Sequence, residues 1–330
     1  MAENQLIRNR GESIIDRLLH STDPSIVFRT RVEILGESPI SKTVKEIQKQ
    51  VSRSDRVRSL LSERREDGTL PWHPYSKWCG AHWMLSSLAD LCYPSGDKSL
   101  VPLREQVYGW LFSKAHLEHI RKRHELVRAH ASMEGNAIYY LAKLGLSDDR
   151  TRALADLLVD WQWPDGGWNC DQTSTAHTSS FTESLWPLRG LFHFSSISAK
   201  RSYWDVIESA AKYFLKRKLY KRLTNGRIID EKFTKLHYPC YWHYDILFGL
   251  KVIKEVGRIK DERCSEAISL LKSKRQDDGG FPSEAAYCRV FKSRRSTGGR
   301  SLVSWGGVSR ERMNEFVTVD ALSVLRAAGG

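Results

Sequence analysis

No apolar run in this 330-residue chain approaches the ~20 residues that cross a bilayer; the longest, such as "YDILFGLKVI", are about half that. A transmembrane helix is therefore not expected. The opening residues "MAENQLIRNRGES" lack the apolar segment of a secretory signal, and the expected location is cytoplasmic. Cysteine is sparse: Cys79, Cys92, Cys170, Cys240, Cys264 and Cys288 are too scattered for a small disulfide framework, so free thiols are expected. Strand-like alternation is nearly absent, which leaves a sheet-based architecture little to build on. Nor is there a helix-turn-helix, zinc-finger or RNA-binding signature.

What is present describes a globular protein with a sizeable core. Hydrophobic residues make up 41% of the chain and charged residues 28%. Its length exceeds the usual ~100–200 residues of one domain, so either two domains or one large closed architecture is expected. The net charge of +13 gathers in "RSLLSERR", "HIRKRHELVRAH", "LKRKLYKRL" and "FKSRRSTGGR". Such clusters can attract nucleic acid, anionic lipid or a phosphorylated ligand; the plainer reading is the solvated outer faces of helices.

A repeat runs through the chain. Six segments open on polar or small residues and turn apolar with helical spacing: "SIVFRTRVEILG", "KWCGAHWMLSSLADL", "ASMEGNAIYYLAKLGL", "TSSFTESLWPLRGLF", "CYWHYDILFGLKVI" and "EFVTVDALSVLRAAG". Aligned by polar entry residues, Thr30, His82, Glu134, Glu183, His243 and Thr318 recur at intervals of 52, 52, 49, 60 and 75. A period near ~50 marks a repeated supersecondary unit. The longest interval holds a Gly/Ser/Arg-rich stretch, read as a loop inserted over 286–314. Between the apolar segments lie amphipathic ones, such as "SKTVKEIQKQVSRSDRVRSLL" and "DDRTRALADLLVDWQW", with "NQLIRNRGESIIDRLLH" at the start. Helices apolar all round are enclosed by others, and helices with one charged face border water. The alternation predicts an all-α domain over residues 1–330, six inner helices within six outer ones; an open helical solenoid is the alternative.

Three joints between outer and inner segments resemble one another: "REDGTLPW" ending at Trp72, "QWPDGGW" ending at Trp168 and "RQDDGGF" ending at Phe281. Glycine there admits left-handed backbone angles that end a helix, and the aromatic ring can pack under the turn. Gln162, Gly166 and Trp168 match the Q-x-x-x-G-x-W pattern of the squalene/hopene cyclases, and "DGGW" and "DDGGF" are similar to turns in protein prenyltransferase β subunits. By these motifs and the repeat, the chain resembles the (α/α)6 toroids of the prenyltransferase and terpenoid-cyclase superfamily over nearly its whole length. The resemblance implies that Gln162, Asp165, Gly166, Gly167 and Trp168 form a structural clamp. It also implies an enzyme that takes an isoprenoid or other lipidic or diphosphate ligand into a central aromatic cavity.

In such a toroid the N-terminal ends of the inner helices line one mouth of the cavity. Carboxylates there, Glu134, Glu183 and Asp245, are candidate acids and bases together with His82 and His243; the competing role for each carboxylate is to cap its own helix. Arg31 and Lys77 are candidates to neutralise a diphosphate. Trp78, Trp83, Trp186, Tyr241, Trp242 and Tyr244, with Asn136 and His237, would line the ligand's path, although aromatics at helical spacing also serve as plain core. Cys79 with His82, and Cys240 with His243, have zinc-ligand spacing. They fall on the second and fifth inner helices, on the order of 15 Å or more apart given interaxial distances of ~8–10 Å, so no shared zinc site is expected. Zinc or magnesium remains an open cofactor.

The family's own chemical signatures are missing. There is no Asp-x-Asp-Asp of the class II cyclases, and "SDDR" and "QDDGG" do not fit the Asp-Asp-x-x-Asp of the class I synthases. The one Asp-x-Cys, Asp90 with Cys92, lies at the far end of the second inner helix, away from the mouth. Two other readings stand beside the cyclase-like one: a carbohydrate hydrolase or lyase of the toroid type, with paired carboxylates and stacking aromatics, and a non-enzymatic scaffold that binds a partner or nucleic acid through its basic exterior.

Overall fold

A computed structural model describes residues 13–198, 202–290 and 299–329. The protein is all-α, with 52% helix against 6% strand. Helix α1 spans Ile14–Leu19; the part of the first expected helix before residue 13 lies outside the described residues. Then come α2 (Pro24–Arg29), which runs on as a π-helical segment Thr30–Leu35, α3 (Lys42–Ser52), α4 (Asp55–Leu60), α5 (Ala81–Asp90), α6 (Val101–Leu111) and the single turn α7 (Lys114–Leu117). The second half holds α8 (Ala131–Lys143), α9 (Asp149–Trp161), α10 (Phe181–Ser198), α11 (Ser202–Lys216), α12 (Ile246–Glu255), α13 (Ser265–Lys272) and α14 (Glu315–Ala327). No helix among the described residues is long and apolar enough to cross a membrane.

Burial sorts the helices as their composition does. Every residue of α5 from Ala81 to Ala89 is buried, so this helix is enclosed by protein on all sides. On α3 only Val44 and Val51 are buried, seven residues apart on one face. The apolar helices touch in sequence order: α5 packs on α8, α8 on α10, α10 on α12, α12 on α14, and α14 on the π-helical segment. The tightest of these crossings is built on glycine. A side chain at Gly135 of α8 would meet the Pro187 nitrogen at 2.3 Å, and one at Gly190 of α10 would meet the Gly135 carbonyl at 2.2 Å.

The three joints are one structure used three times. Arg65, Trp163 and Gln276 each donate a backbone N–H to the carbonyl four residues on, at Thr69, Gly167 and Gly280. In each the preceding side chain (Arg64, Gln162, Arg275) donates to the carbonyl of a left-handed glycine: Gly68 (φ 80°), Gly166 (101°) and Gly279 (84°). Gln162 also reaches the Val206 carbonyl of α11 at 3.0 Å, which ties two outer helices together. The backbone N–H groups of Trp168 and Phe281 donate to Ser184 of α10 and Thr318 of α14 respectively, so each turn is fastened to the next inner helix. One correction follows from this register. The counterpart of Trp168 and Phe281 in the first joint is the buried Leu70, whose N–H goes to Gln106 of α6, and not the expected Trp72.

Strand is confined to short pieces. An antiparallel hairpin pairs β1 (Arg121–Arg123) with β2 (Leu126–Arg128), turning through His124 and Glu125, both at positive φ. Within the expected insertion, β3 (Arg289–Val290) pairs parallel with β4 (Arg300–Ser301); residues 291–298 of that loop lie outside the described residues.

Candidate functional site

The sites converge where α8 and α10 begin. Glu134 sits in the first turn of α8, 2% exposed; its Oε1 lies 2.7 Å from His116 Nε2, and its buried Oε2 has no hydrogen-bond partner. Beside it opens a cavity of about 390 Å³ lined by Tyr75, Trp110, His116, His119, Ile120, His130 and Met133 among others. Its walls are mostly aromatic and aliphatic, with four histidines (His73, His116, His119 and His130) and Glu134 among the lining residues. Glu134 is the one carboxylate among the residues that line it.

Glu183, in the first turn of α10, stands next to this pocket. Its Oε2 accepts the Ser132 backbone N–H at 3.0 Å, and its Oε1 lies 3.1 Å from His130 Nδ1. Cys170 completes a trio: one ligating atom each from His130, Cys170 and Glu183 lie within 4.8 Å of one another. The Cys170 sulfur first, and the Glu183 carboxylate second, raise the His130 imidazole to about 10. Burial, with the charges of Glu183 and Cys170 nearby, pushes the Tyr75 phenol upward.

Local structure holds the trio's parts together. Arg128, fully buried at the end of β2, donates to the Asp171 and Ala176 carbonyls, while Asn169 donates to the Thr178 carbonyl. The Ala129 N–H reaches the Asn169 carbonyl at 3.2 Å, so the residues before His130 and Cys170 run side by side. The tryptophan-rich stretch 161–171 is thus a joint through Trp168 and a contributor to this site at Cys170. The basic stretch "HIRKRHELVRAH" also divides: Arg121 and Lys122 face solvent, Arg128 is a buried strut, and His119 and His130 border the pocket.

Most other candidates from the sequence are placed elsewhere. Asp245 is the N-cap of α12: it accepts the N–H groups of Phe248 at 2.7 Å and His237 at 2.8 Å, and pairs with the His237 ring. His82 is fully buried between Tyr140 and Asn136. Asn136 offers its amide nitrogen there, since its oxygen takes the Ser86 hydroxyl, so His82 Nε2 accepts and Nδ1 carries the hydrogen. Desolvation, helped by nearby His116, lowers His82 to about 3. His243 stacks between Trp242 and Tyr287 and is likewise lowered to about 3, by burial first and His237 second. Each Cys-x-x-His pair stays outside any three-residue ligand cluster among the described residues.

The aromatic residues pack on one another. Trp78 stacks on Tyr241 at 4.0 Å with Trp83 edge-on, and Lys77 lies 5.2 Å from the Trp242 ring. Trp186 donates its indole N–H to the Tyr241 carbonyl, and Tyr244 donates its hydroxyl to the Leu219 carbonyl. Arg31 pairs with Glu37 at 2.8 Å.

A second cavity, about 420 Å³, lies at the opposite, C-terminal ends of the apolar helices. Arg189 of α10 joins Glu255 (2.9 Å) to Asp90 (3.0 Å), with His193 on Glu255 and Tyr139 on Asp90. Arg29 and Lys251 both hold Asp320 of α14, and Arg29 also holds Glu33. Cys92, of the Asp-x-Cys pair, lines this cavity and not the mouth. Four of the cations that line it, Arg29, Arg189, Lys251 and Lys254, are already paired with carboxylates, which makes it an ion network before it is a ligand site.

No protein-family model matches the chain, and no curated protein or solved structure matches it either. The resemblance to the toroid superfamily therefore rests on the residues of the joints and on the repeat.

Proposed function

We propose that the chain is an enzyme on a closed (α/α)6 toroid, with its active site in the pocket where α8 and α10 begin. The order of helix contacts supports the closed ring, as does the ion network that draws charged side chains from the apolar helices. The reaction in this reading is acid–base chemistry by Glu134 and Glu183, aided by His116 and His130, on a largely apolar ligand of isoprenoid or other lipidic kind. The Glu134 oxygen that is buried without a partner carries the proposal. An unsatisfied buried acceptor costs about 1–3 kcal/mol, more for a charged group, and a ligand donor would remove that cost. From that position a carboxyl can give or take a proton at a bound ligand. Trp110 and Tyr75 present π-faces that stabilise positive charge developing on such a ligand.

The test is a thermal-shift screen with geranylgeranyl diphosphate, squalene, oligosaccharides and duplex DNA. A ligand at about 100 times its Kd stabilises the fold by ~2.7 kcal/mol. The expected result is a shift with a prenyl ligand that Glu134→Gln abolishes while the ligand-free protein melts as before. A shift with saccharides alone would turn the reading to a hydrolase or lyase. A salt-sensitive shift with DNA alone would move function to the basic exterior.

A further inference from the structure

We infer that His130, Cys170 and Glu183 form a binding site for one zinc ion, with an open coordination position beside the mouth pocket. Three different ligand types arrive here from three separate segments: the residue before α8, the loop after the 161–168 joint, and the first turn of α10. A thiolate with an imidazole and a carboxylate suits zinc or cobalt, while magnesium and calcium prefer oxygen alone. The anionic thiolate and carboxylate together balance a divalent ion with the imidazole neutral.

Geometry agrees with this chemistry. Bonds of ~2.0–2.1 Å to oxygen and nitrogen at a tetrahedral metal place those atoms roughly 3.3 Å apart; Glu183 Oε1 and His130 Nδ1 are 3.1 Å apart. The other Glu183 oxygen is fixed by the Ser132 N–H, the outer-shell hydrogen bond that aims a metal-binding carboxylate. Three protein ligands leave a fourth position for water, and the His130 side chain is 53% exposed, so that position is reachable. His130 also borders the mouth pocket, where the buried Glu134 has its unpaired oxygen. A zinc-bound water has a pKa near ~7, so the site would supply a hydroxide next to that pocket. The metal site goes beyond the acid–base reading and does not require it; with zinc bound, Glu183 and His130 serve as ligands and the proton transfers of that reading fall to Glu134 and His116.

Chelator-treated full-length protein titrated with Co2+ tests the inference. The expected result is one cobalt per chain, with a thiolate-to-cobalt charge-transfer band and the intense visible bands of a tetrahedral site. Cys170→Ser should abolish the charge-transfer band, and Glu183→Gln should weaken binding about 10-fold or more, with circular dichroism unchanged in both. Cys79→Ser and Cys240→Ser should leave the spectrum intact. Absence of a cobalt band in the parent protein, or a band that survives Cys170→Ser, would overturn the site. Glu134→Gln should lose the ligand-induced thermal shift yet keep the cobalt spectrum, so the two readings fail separately.

Discussion

His82 and Glu134 are both buried, and only His82 has each of its polar side-chain atoms paired. His82 has both ring nitrogens engaged by neutral partners, and protonation would set an Nε2–H against the Asn136 amide hydrogens. Its folded-state value, about 3, is below the ~6.5 of an unfolded chain. The contribution to stability is therefore complete above pH ~6.5 and is lost as pH falls toward the folded value. The slope is up to about 1.4 kcal/mol per pH unit for one proton. Urea midpoints between pH 7 and 4 should show this decline, and a His82→Gln variant should show a shallower one. Glu134, by contrast, has one buried carboxylate oxygen without a partner. Polar character at the starts of the apolar segments marks Glu134 and Glu183 as candidates. The sequence could not reveal which polar residue would be satisfied internally, because the partners of His82 lie 54 and 58 residues away.

At the scale of elements, Asp245 and the Cys170 loop show what local patterns do and do not reveal. Asp245 precedes an apolar helical run, which is an N-cap signature, and that is its place in the fold. Asp245→Asn keeps an acceptor for the Phe248 N–H but turns an amide donor toward the His237 N–H and replaces the carboxylate beside the His237 ring. The expected cost is about 1–3 kcal/mol in urea unfolding, with the ligand-induced thermal shift unchanged. A loss of that shift without loss of stability would return Asp245 to the chemistry. His130 and Cys170 were not singled out as site residues because 40 positions separate them in the chain. What joins them is a bridge between Arg128 and Asn169 and a buried arginine in a stretch whose charges read as surface. Four of the 11 histidines fall between His116 and His130, and that local density was the available signal. The hairpin there escaped notice because its turn uses His124 and Glu125 where glycine or asparagine usually marks such a bend.

Across the whole molecule, the apolar helices touch in sequence order, and an ion network joins their C-terminal ends. Arg189 is 3% exposed and serves two carboxylates from different helices, so its removal strands charge in the interior. Arg189→Met should cost ~3–5 kcal/mol by urea unfolding. Arginines hold the carboxyls of Glu255, Glu33 and Asp320 below their usual range despite burial. Their contribution is full above pH ~4 and disappears as acid reaches the folded values. The alternation of enclosed and amphipathic helices was plain in the sequence; this network was not, because its members are spread from Arg29 to Asp320 and each looks alone like an ordinary surface charge.

The glycine crossing of α8 and α10 has a mechanical meaning for the site. Glu134 adjoins Gly135, and Glu183 lies about two turns from Gly190, so both carboxylates are measured from a contact of backbone on backbone. Such a contact has no side chain to yield or change rotamer. The separation of the two acids is therefore fixed by main chain against main chain and does not depend on how the side chains around them pack.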